Sequence, residues 1–210
     1  MQNFNKKTII IGYSGHGLVV ADSAIDCGYN LIGYCDLEKK DLNPFKIKYL
    51  GNEIILNLKF FSNDYQYIIG IGDNKIRTKI FKFLISKSAN IISVIHPKAS
   101  VSSTVKVNSG TFISKNSSVN AMCNIGSNII LNTGSIIEHD CIISNNVHVA
   151  PGAIVLGNVK IGEASFIGAG STIKEGLQIG KNVLIGAGSL VLKNIPDNSL
   201  FYGNPRKIIK

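Results

Sequence analysis

The stretch Ile161-Gly-Glu-Ala-Ser-Phe-Ile167-Gly-Ala-Gly-Ser-Thr-Ile173 carries an isoleucine at every sixth position. The same period runs unbroken from Ile95 to Val191, so that an aliphatic residue stands at each of 17 successive positions. An amphipathic helix needs apolar spacings near 3.6 and a half-buried strand needs spacings of 2, so neither element alone explains a period of six. A hexapeptide period predicts a parallel β-helix.

The hexad also predicts which residues share a vertical column. Three hexads are expected to form one triangular coil, so that residues 18 apart stack at the strand spacing of about 4.8 Å. Glycines that directly follow the aliphatic position are expected at the tight corners. We expect the aliphatic residue to point inward together with a small residue four positions later, a set that comprises Ala99, Thr111, Cys123, Ser135, Cys141, Ala153, Ser165 and Ser171.

The sequence divides the 210-residue chain into an α/β N-terminal domain (residues 1–94), an all-β parallel β-helix of hexapeptide repeats (95–195) and a C-terminal tail (196–210). The first part alternates strands and helices, which predicts a small Rossmann-like parallel sheet with its ligand at the carboxyl ends of the strands. Predicted strands cover residues 8–12, 31–35, 67–71 and 91–95, and predicted helices cover residues 18–26 and 75–87. Residues 39–63 receive no assignment.

Composition and charge exclude several classes of protein. The formal net charge is +9, yet only Arg77 and Arg206 are arginines among 22 basic residues and no aromatic-basic motif occurs, so we expect no nucleic-acid partner. No apolar run reaches the about 18 residues that a membrane span needs, and no secretory signal opens the chain. We therefore expect a cytoplasmic protein. The four cysteines show no CxxC spacing and no histidine pattern for zinc, so no metal is expected.

A glycine-rich turn, Gly12-Tyr-Ser-Gly-His-Gly17, joins the first predicted strand to the first predicted helix. Glycines let the backbone approach a phosphate or sugar, and a helix N-terminus favours negative charge. Asp36 ends the second strand, where a nucleotide-binding unit places an acid for ribose or base. The spacing fits a dinucleotide fingerprint poorly, so a nucleotide-linked ligand is favoured over a redox role. A purely structural strand-to-helix turn remains the alternative.

The run Glu138-His-Asp140 places three ionisable side chains in succession on a segment otherwise poor in charge. His139 is expected in one column between Ala121 and Gly157, with open space around its ring. A neutral imidazole can accept the proton of an amine or hydroxyl that attacks a carbonyl, and a carboxylate on its other nitrogen raises its basicity. Asp140 or Glu138 can supply that carboxylate. Adjacent strand residues face opposite ways, so contact with Asp140 requires a corner.

His148 lies nine residues beyond His139, half a coil away, so one chain does not easily join them. In a closed trimer, His139 of one subunit and His148 of the next can border one cleft. A structural role for His148 is the alternative. The column Pro151, Ala169 and Ala187 predicts a groove of small residues whose backbone can meet an extended amide chain such as a pantetheine arm. The alternative is that hexad turns simply favour glycine and small residues.

Five segments together carry a family resemblance: Ser14-Gly-His-Gly17, Gly72-Asp-Asn-Lys-Ile-Arg77, Asn132-Thr-Gly-Ser-Ile-Ile-Glu-His-Asp140, His148-Val-Ala-Pro-Gly-Ala153 and Gly203-Asn-Pro205. Over nearly its whole length the chain resembles the NeuD/PglD-like sugar O-/N-acetyltransferases, which include sialic-acid O-acetyltransferases and UDP-4-amino-sugar N-acetyltransferases of bacillosamine biosynthesis. The resemblance implies a homotrimer with sites between subunits. It also implies a left-handed β-helix that holds acetyl-CoA and an N-terminal domain that holds a nucleotide-linked amino sugar.

The resemblance assigns roles to individual residues. It implies that His139 is the general base and that Asp140 is the acid that strengthens it. Leu37 follows Asp36 where relatives that use a uridine nucleotide often have a second acid, which leaves the base of the nucleotide open. The residues implied to bind acetyl-CoA are His148, Gly157, Ala169 and Ala187. Those implied to bind the nucleotide sugar are Ser14, Gly15, His16, Asp36 and Gly72.

Together these inferences predict an acetyl-CoA-dependent N-acetyltransferase that acts on the 4-amino group of a nucleotide-linked amino sugar, for bacterial surface-glycan or glycoprotein biosynthesis. The amine is expected to attack the thioester directly, without a covalent enzyme intermediate. O-acetylation of sialic acid or another surface sugar remains an alternative, because one base serves both nucleophiles. A non-catalytic β-helix that binds a ligand is the third possibility.

Overall fold

The structure, a computed structural model, describes residues 6–52 and 62–204. Its N-terminal part is a parallel sheet with the strand order β3-β2-β1-β4. One helix connects β1 to β2, and a second helix follows β4 and leads to the β-helix. The strands are β1 (Lys7–Ile11), β2 (Asn30–Cys35), β3 (Lys48–Tyr49) and β4 (Tyr65–Ile69), and the helices are α1 (Gly15–Asp26) and α2 (Asn74–Ser86).

Two features of this sheet differ from the prediction. Strand β3 lies within residues 39–63, which the sequence left unassigned, and it forms the edge of the sheet. The predicted strand over residues 91–95 is wrong as a member of this sheet, since only Ile91 forms a single bridge to Tyr67. Val94 and Ile95 pair instead with the β-helix. The reason is that Ile95 is already the first aliphatic residue of the hexad series and packs with the β-helix core.

From residue 94 onward the described chain winds through three parallel sheets made of two-residue strands. Sheet I contains β5 (Val94–Ile95), β8 (Phe112–Ile113), β11 (Ile130–Leu131), β14 (His148–Val149), β17 (Phe166–Ile167), β20 (Leu184–Ile185) and β22 (Leu200–Phe201). Sheet II contains β6 (Ser100–Val101), β9 (Ser118–Val119), β12 (Ile136–Ile137), β15 (Ile154–Val155), β18 (Thr172–Ile173) and β21 (Leu190–Val191). Sheet III contains β7 (Lys106–Val107), β10 (Asn124–Ile125), β13 (Ile142–Ile143), β16 (Lys160–Ile161) and β19 (Gln178–Ile179).

The register of these sheets confirms the 18-residue coil. Ile125 pairs with Ile143, and Ile143 pairs with Ile161, each 18 residues further along the chain. The aliphatic residues from Ile113 to Val191 form one continuous buried core. Seven of the eight small residues predicted to point inward are at most 3% exposed, whereas Ala99 in the first coil is only partly buried; the seven are Thr111, Cys123, Ser135, Cys141, Ala153, Ser165 and Ser171. Hydrophobic burial along the whole prism therefore stabilises the stack.

The corners of the prism carry a regular backbone signature. Every sixth residue from Gly110 to Gly188 has a left-handed φ between 53° and 73°. Glycine and asparagine tolerate this conformation best, and they fill the set except at Met122, Asp140 and Ala164. The expectation that the corner glycine directly follows the aliphatic residue is wrong, because the left-handed residue comes three positions after it. Gly168 serves close stacking instead, since a Cβ there would lie 2.5 Å from the Gly186 carbonyl carbon.

The N-terminal domain packs on the outer face of sheet I. Phe112 and Ile130, which point outward from that sheet, share a buried apolar cluster with Tyr13 and Val20 of the N-terminal domain. The outward residues near the C-terminal end of the same sheet are more exposed, with Leu184 at 47%. The glycine-rich turn and the start of α2 consequently lie against the middle coils of the β-helix.

Candidate active site

The histidine and the aspartate of the corner after β12 contact each other. His139 Nδ1 lies 2.8 Å from Asp140 Oδ2. Asp140 has a φ of 59°, and this left-handed turn replaces the strand alternation that would separate neighbouring side chains. Glu138 instead accepts a hydrogen bond from Asn120 Nδ2 at 2.8 Å. Of the two carboxylates that the sequence offered, the structure therefore selects Asp140.

The pair is open to solvent, with His139 63% and Asp140 58% exposed at their side chains. In the neutral ring the proton lies on Nδ1, which faces the carboxylate, and Nε2 carries the lone pair. The hydrogen bond to Asp140 raises the pKa of His139 above its ordinary value, and the negative charges of Asp140 and Glu138 add to this effect. The arrangement suits a proton acceptor at Nε2.

The imidazole of His139 rests against the next coil of the prism. A Cβ at Gly157 would lie only 2.7 Å from both Cε1 and Nε2 of this ring. The His139 carbonyl accepts the amide of Asn158 at 2.9 Å, which fixes the stacking of the two corners. The predicted column is thus confirmed, and glycine at position 157 leaves the space that the His139 ring occupies.

Close backbone contacts require glycine at several positions in and around the glycine-rich turn. Gly12 has a left-handed φ of 86° and donates its amide to the Cys35 carbonyl at 2.8 Å. A Cβ at either Gly17 or Gly70 would collide with the Gly12 carbonyl oxygen. Ser14 is the N-cap residue of α1, and its hydroxyl makes no capping hydrogen bond. The first turn of α1 is thereby held at the carboxyl end of the sheet.

A cavity of about 300 Å³, here called the N-terminal cavity, lies at this end of the sheet. The structure brings together four of the five residues predicted to bind the nucleotide sugar, because Ser14, His16, Asp36 and Gly72 all line it. Gly15 is exposed next to Ser14 but does not belong to its lining. The exposed side chain of Leu37 also faces this cavity.

Asp36 organises the mouth of the N-terminal cavity. Its Oδ2 accepts the amide of Tyr13 at 2.8 Å, and its Oδ1 accepts the amide of Leu37 at 2.8 Å. Lys40 Nζ lies 3.1 Å from Oδ1. The carboxylate therefore ties the glycine-rich turn to the loop after β2. The sequence predicted an acceptor for ribose or base here, and the structure adds this internal role.

His148 lies at the contact between the two domains and is only 7% exposed. Its Nδ1 is 3.2 Å from the Gly72 carbonyl, and its Nε2 is 3.2 Å from Asn132 Nδ2. Asn132 Oδ1 accepts the amide of Thr133 at 2.8 Å, which leaves Nδ2 as the donor to His148. The ring is therefore neutral with its proton on Nδ1. Burial, and after it the positive charge of Arg77 and the neighbouring His16, together lower the pKa of His148 to about 3.

His16 is the second histidine at the domain contact. Its ring centroid is 6.1 Å from that of His148, and it meets Phe112 edge-on at 5.6 Å. Its Nε2 is buried without a hydrogen-bond partner. Burial, and after it the positive charge of Arg77, together lower the pKa of His16 to about 4. Both histidines are consequently neutral near pH 7.

Sequence reasoning assigned no role to Arg77 or Asn132, which lie beside His148 in the structure. Arg77 is 1% exposed and lies on the face of α2 that also buries Ile80, Phe81 and Leu84. The sequence does show a charged residue at a position where the helical spacing places apolar residues. Because charged residues are rarely fully buried, such a position could have marked Arg77 as unusual. Asn132 gave no comparable signal, because its contact with His148 joins two successive coils.

The predicted groove of small residues is present at one corner of the prism. Pro151, Ala169 and Ala187 are exposed and stacked, with Gly170 donating to the Pro151 carbonyl at 2.9 Å. The Ala169 carbonyl accepts the amide of Gly188 at 2.8 Å, so part of this backbone is used within the stack. The groove therefore offers a narrow, sterically open edge to an extended chain.

A second cavity of about 610 Å³ adjoins the N-terminal cavity, and both are lined by Gly72 and Asp73. Its other walls include Phe166 and Leu184 of sheet I and the start of α2. His139 lines neither cavity, because it lies at the corner between sheets II and III. Within a single chain, His139 and the residues predicted to bind the nucleotide sugar thus lie on different sides of the prism.

Among the described residues, no group of three or more histidine, cysteine or carboxylate side chains is arranged to hold a metal ion. In residues 6–52 and 62–204, no helix has both the length and the apolar character needed to cross a membrane.

Comparison with protein families identifies both halves of the chain. Residues 7–84 match the model of the PglD N-terminal domain. Residues 158–193 match the bacterial transferase hexapeptide model of six repeats, and residues 120–151 match the hexapeptide repeat of succinyl-transferase.

Solved structures resemble the whole chain. The acetyltransferase domain of PglB from Neisseria gonorrhoeae FA1090, solved with acetyl coenzyme A, is 31% identical over 98% of this chain and 100% of that chain, with a TM-score of 0.89. PerB from Caulobacter crescentus, solved with CoA and GDP-perosamine, is 30% identical over 97% of each chain, with a TM-score of 0.89. WeeI from Acinetobacter baumannii AYE, at 23% identity and a TM-score of 0.87, shares the fold. The C-terminal part is accordingly a left-handed β-helix.

Proposed function

The chain belongs to the NeuD/PglD-like family of hexapeptide-repeat sugar acetyltransferases, and we propose that it transfers the acetyl group of acetyl-CoA to the 4-amino group of a nucleotide-linked amino sugar. The product would serve bacterial surface-glycan or glycoprotein biosynthesis. The observation that carries the proposal is the exposed His139–Asp140 pair on a β-helix corner, with Nδ1 and Oδ2 at 2.8 Å.

His139 is the general base of the proposed reaction. The amino nitrogen of the sugar forms a bond to the acetyl carbonyl carbon, the carbon–sulfur bond breaks, and CoA leaves as the thiol. Nε2 of His139 accepts the proton that the amine loses, Asp140 holds the ring through Nδ1 and stabilises the resulting imidazolium, and the imidazolium then returns the proton to the departing sulfur. Cys123 and Cys141 are at most 3% exposed, which supports direct attack over a covalent thioester on the protein.

The N-terminal cavity is the proposed site of the nucleotide. Ser14 at the start of α1 and the glycine-rich turn offer backbone amides to a diphosphate. The related PerB was solved with GDP-perosamine, a nucleotide-linked amino sugar, which supports this class of acceptor. Acetyl-CoA is the donor, and the exposed column Pro151, Ala169 and Ala187 fits its thin pantetheine arm.

The complete site forms between subunits of a homotrimer in this proposal. His139 lies away from both cavities that border Gly72, so a second subunit must bring its base to them. Three-fold symmetry would create three equivalent sites, each with His139 from one subunit and His148 from the next. His148 would then border the thioester, and Gly157 would support the base.

N-acetylation is favoured over O-acetylation by the relatives. Two further structures from Caulobacter crescentus, each 29% identical to this chain, are of a perosamine N-acetyltransferase with one histidine replaced by asparagine or alanine, in complex with CoA and GDP-perosamine. Such a substitution is the expected way to study a histidine base. A hydroxyl acceptor would use the same geometry at His139, and it is therefore included in the test.

A substrate panel tests the proposal. Purified protein is incubated with acetyl-CoA and UDP-, GDP- or dTDP-linked 4-amino sugars, with the corresponding 4-hydroxy sugars and with sialic acid, and products are read by mass spectrometry. We expect a mass gain of one acetyl group, with release of free thiol, only on a 4-amino sugar. Acetylation confined to hydroxyl acceptors, or no thiol release with any acceptor, would contradict the proposal.

The variant His139→Ala tests the assignment of the general base. Loss of a general base should lower turnover by roughly 10²-fold or more, while the oligomer and its affinity for acetyl-CoA persist. Turnover equal to that of the unmodified protein would remove the base assignment.

A further inference from the structure

Arg77 is a buried guanidinium without a carboxylate partner. It is 1% exposed, and among the described residues no aspartate or glutamate forms an ion pair with it. Burying an unpaired charge is expensive, so a structure retains one only where many dipoles compensate it. Asp73, the N-cap residue of α2, acts on Arg77 through its negative charge without forming an ion pair. Burial lowers the pKa of Arg77 to about 10, so it stays charged at neutral pH.

Carbonyl oxygens from both domains compensate this charge. From the N-terminal domain, Arg77 donates to the Gly72 carbonyl at 3.0 Å and to Asn74 Oδ1 at 2.8 Å. From the β-helix, it donates to the Asn128 carbonyl at 3.2 Å and to the Asn146 carbonyl at 3.0 Å. A planar fork with five N–H groups can bridge two domains in this way, and a lysine ammonium cannot reproduce it.

One of these carbonyls also accepts a hydrogen bond from His148. The Gly72 oxygen accepts from Arg77 Nη1 at 3.0 Å and from His148 Nδ1 at 3.2 Å. Arg77 therefore fixes the group that decides which nitrogen of His148 carries the proton. Its positive charge also disfavours a second positive charge on His148 and on His16.

The charged and titratable groups around His148 come from three elements. Helix α2 contributes Arg77, with Asp73 at its start, and α1 contributes His16. The β-helix contributes Asn132 and Phe166, neither of which titrates. Arg77 is thus the only charged side chain that acts on His148 at short range in the described part of the chain.

We propose that Arg77 is a positioning residue that locks the N-terminal domain onto the middle coils and holds His148 as a neutral, Nδ1-protonated imidazole. The Nε2 atom of His148 is then a hydrogen-bond acceptor, and Asn132 donates to it. The single N–H of the ring is used by the Gly72 carbonyl, so His148 cannot donate a hydrogen bond to a developing oxyanion. The ionisation state is a property of the free protein. Its consequence for acetyl transfer rests on the proposed function.

The test follows the histidines of the full-length protein by NMR, with carbon and nitrogen labels in the imidazole rings and no ligand present. The histidines are His16, His96, His139 and His148, and single substitutions assign their signals. In the unmodified protein we expect His148 and His16 to stay unprotonated down to about pH 5, far below the ordinary histidine pKa of about 6.5. The nitrogen shifts of His148 should report a proton on Nδ1.

Two variants separate charge from geometry. Arg77→Gln removes the charge and should raise the titration midpoints of both histidines. Arg77→Lys keeps the charge and should leave them low, while it loses the fork and weakens the Nδ1–H signature of His148. Lys79→Gln removes an exposed charge from the same helix and should change neither measurement.

Clear outcomes would overturn the proposal. A folded Arg77→Gln variant with unchanged midpoints would show that the guanidinium does not control the ionisation of these rings. If that variant fails to fold, the unmodified protein and Arg77→Lys decide the question. A His148 midpoint near about 6.5 in either of them contradicts the proposal. Because no substrate is used, this result is independent of whether the proposed acetyl transfer is correct.

Discussion

At the scale of single residues, the candidate base depends on one backbone conformation. Asp140 occupies a corner position that glycine or asparagine fills at most equivalent points of the prism. Aspartate is among the few other residues that tolerate the left-handed region, and its short side chain can turn back onto the preceding residue. The same corner therefore exposes His139, orients its ring and strengthens its Nε2 as a proton acceptor.

We predict that Asp140→Asn shifts the pH dependence of turnover. The carboxylate raises the pKa of His139, so in the unmodified protein activity should fall as the pH drops through a midpoint above the ordinary histidine value. Without the negative charge the pKa of His139 falls, so the acid limb should move to lower pH while maximal turnover decreases. The measurement is the rate against pH at saturating substrates. An acid limb that does not move would separate Asp140 from the ionisation of the base.

We predict that Gly157→Ala impairs turnover without unfolding the protein. The added Cβ would lie 2.7 Å from the His139 ring, which is free to swing because it is exposed. Misplacing a catalytic group by about 1 Å can cost roughly 10²-fold in rate, so we expect a loss of about 10-fold to 10²-fold. Glu175→Ala, one coil further in the same column, is the control and should retain activity. Equal activity of both variants would show that the ring position does not matter.

At the scale of elements, each two-residue strand has one inward and one outward side chain. Ile143 is 1% exposed and belongs to the continuous core, whereas its neighbour Ile142 is 41% exposed on the outer face of sheet III. The strands are too short to be stable alone, so each depends on the columns above and below it. Stability therefore resides in the inward column rather than in any single strand.

We predict that Ile143→Ala lowers the free energy of unfolding by about 2–5 kcal/mol, because it removes buried methyl groups and leaves a cavity. Ile142→Ala, the adjacent outward change, should cost less than about 1 kcal/mol. Urea denaturation followed by circular dichroism compares the two variants. Similar losses for both would contradict the assignment of inward and outward faces.

The elements differ in how far the sequence predicted them. The hexad period fixed the columns of the β-helix, since a narrow interior accepts only aliphatic and small residues at set positions. The period did not reveal which residue of each hexad adopts the left-handed backbone conformation at the corner. That conformation depends on how the chain turns from one sheet to the next, and the spacing of hydrophobic residues does not show it. Strand β3 was missed because two residues at a sheet edge leave no periodic pattern.

At the scale of the whole molecule, the contact between the two domains holds three of the nine candidate binding residues, His16, Gly72 and His148. His16, His148 and Arg77 meet where the N-terminal domain packs on sheet I. His139 lies at a different edge of the prism, so the proposed active site needs a second subunit. In this proposal, only the trimer brings His139 together with the binding residues, so the monomer would be inactive.

We predict that two inactive variants restore each other. His139→Ala and His148→Ala, mixed in equal amounts, unfolded and reassembled together, should form mixed trimers in which about a quarter of the sites contain both native histidines. Activity should return to about that fraction of the unmodified protein. Variants reassembled separately and then combined at once are the control. Mixed trimers without recovered activity would place both histidines in the same chain's site and contradict a site shared between subunits.

The sequence by itself determined the β-helix, its 18-residue columns, the parallel N-terminal sheet and the residue types of the candidate base, because periodic burial and ionisable side chains can be read locally. Only the tertiary structure decided that Asp140 rather than Glu138 holds His139, that Asp36 ties two loops together, and that Arg77 bridges the domains to His148. These contacts join residues brought together by corner geometry and domain packing. Across the domain contact the partners are far apart in the sequence, since the Arg77–Asn146 hydrogen bond spans 69 residues and the Gly72–His148 hydrogen bond spans 76. No pattern within a short stretch of sequence shows which distant residues form these contacts.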